Sequence, residues 1–256
     1  MLIRYEINPP RVIQEKVLSH KEVQSSLDKL KKRIFEISKY CSGIHLTDSV
    51  LGVPRISPIT TGALIRNDGL KINITASLRV RDRNLISLTQ SVYDAVLLGL
   101  DGLLILKGDE PPEGPKDSKL APSEVVKYFK DLGFGENLDF YLSIPADPNF
   151  DKIQKKIDVA PTGFVTQVIQ APEQVFRIVD RLKPQGFRII PVIMVPSEKN
   201  AKSFAMLGVD QAKFKDRFVD FVTEIHRSTG DVLITSPNDF RAASEILEQL
   251  KELKRN

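Results

Sequence analysis

An apolar run, Leu103 to Leu106, leads directly into a cation, a glycine and a carboxylate: Lys107, Gly108 and Asp109. Four apolar residues bounded by glycine have the form of a buried strand. A core has no use for a lysine beside an aspartate, so a charged pair at the exit of a buried strand marks a candidate site. A turn that happens to carry Asp and prolines is the plain alternative. The same design recurs along the chain. Other apolar runs end in Tyr5-Glu6-Ile7-Asn8, Thr47-Asp48, Thr75-Ala76-Ser77, Thr166-Gln167 and Thr235-Ser236. Glu6 sits among apolar neighbours, where the charged form is poorly solvated. Its pKa should rise, which suits a general acid near neutral pH, unless it forms an ion pair with a neighbouring strand. Gln167 both donates and accepts, which suits a planar heterocycle or a satisfied interior amide.

Eight short apolar runs alternate with amphipathic runs and would position these residues. The expected strands are Leu2–Ile7, Gly43–Thr47, Lys71–Ser77, Leu103–Lys107, Asp139–Ser143, Gly163–Gln167, Arg188–Met194 and Asp231–Ser236. Helical patterns lie between and after them: Lys21–Tyr40, Pro58–Asn67, Asn84–Leu98, Pro122–Leu132, Asn149–Ile157, Pro172–Leu182, Ser197–Met206 with Phe214–Ser228, and Asn238–Leu250. Prolines with acids at 122–124 and 172–173 have the chemistry of a first helical turn. Eight βα units in 256 residues give an α/β fold, a single (β/α)8 TIM barrel over residues 1–256, with a doubly wound open sheet as the alternative. In such a barrel the chemistry stands at the carboxyl ends of the strands.

Composition narrows the classes further. The net charge is +4, and the basic residues are interleaved with acids along helices, so no nucleic acid is expected as a partner. The cluster Arg79–Arg83 is expected as a solvated or salt-bridged helix entry. One cysteine and three scattered histidines give no zinc-type or triad arrangement, and no metal is expected. No membrane-length apolar run occurs, and a cytoplasmic protein is expected.

Five segments in order resemble the methylenetetrahydrofolate reductase family of flavin-dependent barrels. They are Glu6-Ile-Asn-Pro-Pro10, Arg79–Asn84, Leu106-Lys-Gly-Asp-Glu-Pro-Pro112, Lys155–Asp158 leading to Thr166-Gln167, and Ile190–Pro196. The resemblance implies reduction of 5,10-methylenetetrahydrofolate, or a related methylene-pterin, to the 5-methyl form by hydride from a reduced flavin. Glu6 would match the general acid. Asp109 would match a catalytic carboxylate that also faces substrate, and Gln167 a substrate-binding amide. Thr47, Asn73, Thr75, Lys107, Gly108, Asp109 and Lys156 would match cofactor-binding positions. The cofactor so implied is FAD, with FMN or flavin-free nicotinamide chemistry as variants and NAD(P)H as electron donor. Where the family carries an aromatic and an imidazole after strand five, this chain reads Ile144-Pro-Ala-Asp147-Pro148. The alternatives are an accessory pterin-binding barrel that takes electrons from a partner subunit, and a pterin-dependent methyltransferase. A homo-oligomer is compatible with each.

Overall fold

A computed structural model describes residues 2–13, 16–111, 113–114 and 116–253. Pro112, which closes the Leu106–Pro112 motif, lies outside the described residues, as do the last three residues of the chain. Eight parallel strands follow one another around a closed barrel in sequence order. They are β1 (Leu2–Ile7), β2 (Gly43–Leu46), β3 (Asn73–Arg79), β4 (Gly102–Leu106), β5 (Asp139–Ile144), β6 (Gly163–Val168), β7 (Arg188–Met194) and β8 (Asp231–Thr235). The helices among the described residues are α1 (His20–Ile37), α2 (Pro58–Asn67), α3 (Leu85–Leu97), α4 (Pro122–Asp131), α5 (Phe150–Asp158), α6 (Pro172–Leu182), α7 (Ala201–Leu207), α8 (Phe218–Thr229) and α9 (Phe240–Glu252). The chain is a (β/α)8 barrel, as its eight alternating units indicate.

Two compact units divide the chain. One comprises Met1–Ile7, Ile37–Gly43 and Ser143–Asn256, the other Asn8–Glu36 and Ile44–Leu142. In the first unit, β1 pairs with β8 in the register Glu6↔Thr235, and β7 pairs with both β6 and β8. Tyr5 meets Phe240 of α9 edge-on, at a ring separation of 6.3 Å. The odd residues of β1 therefore face the helices, and Arg4 and Glu6 face the lumen. Phe214 stacks on Phe221 of α8 at 4.7 Å.

In the second unit, β3 pairs with β4, and β4 with β5. A methyl group on Gly62 of α2 would meet Ile74 and Leu46, so these two side chains face the helix. The alternate residues of the same strands, His45 on β2 and Thr75, Ser77 and Arg79 on β3, turn to the lumen. Phe129 of α4 stacks on Phe140 of β5 at 5.8 Å.

β3 begins at Asn73 and runs to Arg79, beyond the Ser77 at which the polar sequence predicts its end, and α8 begins at Phe218 rather than at the expected Phe214. The expected Ser197–Met206 helix begins as a single turn at Glu198–Asn200 and continues as α7, which stops at Gly208 in a left-handed conformation.

Candidate functional site at the strand ends

Glu6 is the next-to-last residue of β1 and is half-buried on the lumen face. Thr235, its register partner on β8, donates a hydroxyl hydrogen bond to Glu6 Oε1 at 2.7 Å. Burial raises the Glu6 pKa, and the Thr235 bond opposes that rise in part. Among the described residues, no cation forms an ion pair with Glu6. The lumen cation two residues earlier, Arg4, is given over to Asp231, with Nη2 to Oδ2 at 2.8 Å.

Gln167 owes its position to an irregularity. The β6–β7 register shifts between Val165 and Val168. Thr166 Oγ1 accepts the Val192 N–H at 3.1 Å and donates to the Gln167 carbonyl at 2.7 Å. The hydroxyl thus replaces a ladder carbonyl, and the bulge leaves Gln167 exposed at the strand end. Lys156, on α5, is half-buried and donates to the Ser143 carbonyl at 2.5 Å. Burial lowers its pKa. Asn200 is wholly buried, and the sequence pattern does not single it out. It donates to the Val195 carbonyl and to Ser236 Oγ, and accepts from Asn238 N, so it ties the loops after β7 and β8 together.

The other unit gathers a second group around Arg79, which is 1% exposed. Of the expected solvated or salt-bridged helix entry, the salt-bridged form holds: Arg79, Arg81 and Arg83 pair with Asp82, Glu110 and Asp48, and Arg79 is buried rather than solvated. Arg79 Nη1 donates to the Ser49 carbonyl at 2.6 Å and Nη2 to the Asp109 carbonyl at 2.7 Å, while Nη2 lies 3.1 Å from Asp82. The buried Asp48 accepts from the Arg79 backbone N–H and from Arg83 Nη1. Gly108, at φ 83°, allows this packing: a methyl group there would lie 2.8 Å from Arg79 Cγ and Nε. Asp109 is exposed, and its Oδ2 accepts the Leu51 N–H at 2.6 Å. Ser49 and Leu51, both non-glycine residues at positive φ, hold the loop after β2 in a strained turn against this group. A cavity of about 760 Å³ opens beside it, lined by Arg81, Arg83, Asn84, Asp117 and Ser118 among others.

The remaining expected cofactor positions separate. Thr47 stands just past β2 and donates to Asn8 Oδ1 at 2.5 Å. Lys107 is exposed and pairs with Asp117 at 2.6 Å. Asn73 opens β3, and Thr75 is its third residue, so neither stands at the strand's carboxyl end; Ser77 and Arg79 stand nearer that end. Thr75 is instead committed to His45. Its hydroxyl donates to the Ile44 carbonyl at 3.3 Å and lies 2.9 Å from His45 Nδ1, while His45 Nε2 lies 2.9 Å from Ser77 Oγ. His45 is 3% exposed, a lumen residue that its isolated place in the sequence does not reveal.

Among the described residues, no helix is long and apolar enough to cross a membrane. No protein-family model matches the chain. No curated protein matches it either. Among solved structures, it is similar to a chain of the tryptophan synthase complex from Pyrococcus furiosus, at 13% identity and a TM-score of 0.53. That likeness covers 98% of this chain and 94% of the other. At this identity the likeness shows the fold alone, and the fold is that of a (β/α)8 barrel.

Proposed function

We propose that this barrel is an oxidoreductase that reduces a methylene-pterin of the 5,10-methylenetetrahydrofolate type to its methyl form, with Glu6 as general acid. The observation that supports the reading is Glu6 itself: a lumen carboxyl near a strand's carboxyl end, raised in pKa by burial and bonded to a neutral hydroxyl. Such a carboxyl keeps its proton closer to neutral pH than a solvated one does. It would deliver that proton to the bridge nitrogen as the methylene carbon–nitrogen bond opens to an iminium ion. Thr235 would continue to donate to the carboxylate left behind, limiting the cost of the buried charge. Gln167 would read the pterin edge. Asp109, in the other unit, is kept as a proposed catalytic carboxylate, with the Leu51 N–H bonded to its Oδ2.

A flavin, when bound, supplies the hydride that completes the methyl group, with NAD(P)H as its proposed reductant. The residues fit such a group with fewer contacts than expected. Lys156 is held by a carbonyl, which leaves its positive charge available to a diphosphate. Thr47 and Gly108 stand just past the ends of β2 and β4. Asn73, Thr75 and Lys107 are kept as proposed cofactor positions, although Thr75 donates to the Ile44 carbonyl and Lys107 pairs with Asp117. Those competing partners favour one second reading, an accessory pterin-binding barrel that depends on a partner subunit for electrons.

The visible absorption spectrum of the purified protein tests the reading. Flavin bands that bleach on reduction and return with methylenetetrahydrofolate under anaerobic conditions support it. A colourless protein that stays inert with added FAD, FMN and nicotinamides counts against it and for the accessory barrel.

A further inference from the structure

Two arginines face each other across an isolated antiparallel bridge, Arg11 after β1 and Arg55 after β2. Both belong to the second unit. The flanking backbone bonds fix the kind of pairing. The Val12 N–H donates to the Pro54 carbonyl at 3.1 Å, and the Ile56 N–H donates to the Pro10 carbonyl at 2.9 Å. These bonds bracket the two arginines, which therefore form a non-hydrogen-bonded pair. In such a pair the α-carbons lie about 4.5 Å apart and the side chains leave the same face at their closest. Like charges directly opposite each other are unfavourable there.

Among the described residues, no carboxylate pairs with either arginine. Arg55 is half-buried; its Nη1 donates to the Pro9 carbonyl at 2.7 Å, and its Nε is buried with no partner. Burial, with the Arg11 charge adding to it, pulls the Arg55 pKa down to about 10. Residues 49–67 contain two arginines and no acid. The first turn of α2, which Ser57 caps, lacks the acid that often stands there, so the positive end of the helix is also unbalanced. The acid nearest to Arg11 in sequence, Glu15, lies outside the described residues. Both connections leave the carboxyl ends of strands, the side on which barrels of this fold carry their ligands.

We propose that Arg11 and Arg55 form an oxyanion-binding site for a doubly charged group, carried by a phosphate ester or a dicarboxylate. Two guanidinium groups match the charge of such a group, and their N–H forks match its oxygens. A singly charged anion would leave one arginine uncompensated. Occupation turns the repulsion across the bridge into attraction by both sides for one ligand. The site does not rest on the reaction proposed for Glu6.

Isothermal titration calorimetry on the full chain, with inorganic phosphate and glutarate as probes at constant ionic strength, tests the proposal. At least one probe should bind saturably in the millimolar range or tighter. Binding of phosphate alone assigns the site to a phosphate ester, binding of glutarate alone to a dicarboxylate, and binding of both supports the shared oxyanion chemistry. Arg11→Gln, at an exposed position, should weaken that binding by roughly tenfold or more. Arg55→Lys should do the same, because lysine keeps the charge and loses the fork. Circular dichroism establishes that each variant is folded. A wild type that binds neither probe overturns the proposal. So does full-strength binding by either folded variant. Binding that emerges only in Glu15→Gln also overturns it, by making that carboxylate the counter-ion of the pair.

Discussion

The Thr235 hydroxyl donates to Glu6 Oε1 at 2.7 Å across the β1–β8 register, and this bond opposes the rise in pKa that burial gives the carboxyl. Its removal has a definite sign. Thr235→Val keeps the shape and deletes the donor, so the Glu6 pKa should rise further. If Glu6 acts as the acid, the alkaline limb of the pH–rate profile should move to higher pH. An unmoved limb would separate Glu6 from the titration that controls rate.

Gly108 and Arg79 leave no room for a methyl group. Gly108→Ala would introduce a side chain at positive φ and 2.8 Å from the buried Arg79 side chain. The combined strain should cost about 1–3 kcal/mol of stability, measured as a lower midpoint in urea unfolding. A midpoint equal to the wild type would mean that Arg79 yields without losing its carbonyl partners.

Arg4 and Asp231 form a buried pair whose halves depend on each other. Arg4→Met would strand the Asp231 carboxylate, at a cost of about 3–5 kcal/mol near neutral pH. In the intact protein, burial already raises the Asp231 pKa, with the Arg4 bond opposing it. A carboxyl raised on folding contributes stability that is full at low pH and lost as pH rises through the folded pKa. Without Arg4 that loss should deepen, so the variant should approach wild-type stability in mild acid. An equal deficit at both pH values would remove Asp231 ionisation from the explanation.

Thr166 substitutes for a backbone acceptor at the β6 bulge. Thr166→Val should leave the Val192 N–H unsatisfied and cost about 1–3 kcal/mol. Hydrogen exchange at Val192 should accelerate by more than the loss of global stability accounts for. Exchange that follows global stability alone would show that the ladder reforms without the hydroxyl.

The barrel was legible because each strand is a short apolar run with its own boundary signals. Leu103–Leu106 shows this best, since its core side chains need no distant partner to be recognised. The end of β3 was less legible. After Ser77 the sequence turns basic, and local pattern reads Arg79 as solvated or salt-bridged, without showing that it is buried. Its burial depends on carbonyls at Ser49 and Asp109, each 30 residues away, which no local periodicity reveals. His45 was hidden for the same reason, because its partners Thr75 and Ser77 lie on the next strand. Glu6 was visible from sequence alone, as a lone carboxylate inside a strand. The hydroxyl opposite it, at the far end of the chain, required the closed sheet.

The most direct test of the proposed chemistry is single-turnover reduction of methylenetetrahydrofolate by the prereduced protein, comparing wild type with Glu6→Gln. The glutamine keeps the size of the side chain and an acceptor for Thr235, but has no proton of comparable acidity to give. If Glu6 is the general acid, the variant should retain its flavin spectrum and lose on the order of a hundredfold or more in rate. A variant that turns over at the wild-type rate would contradict the assignment of Glu6.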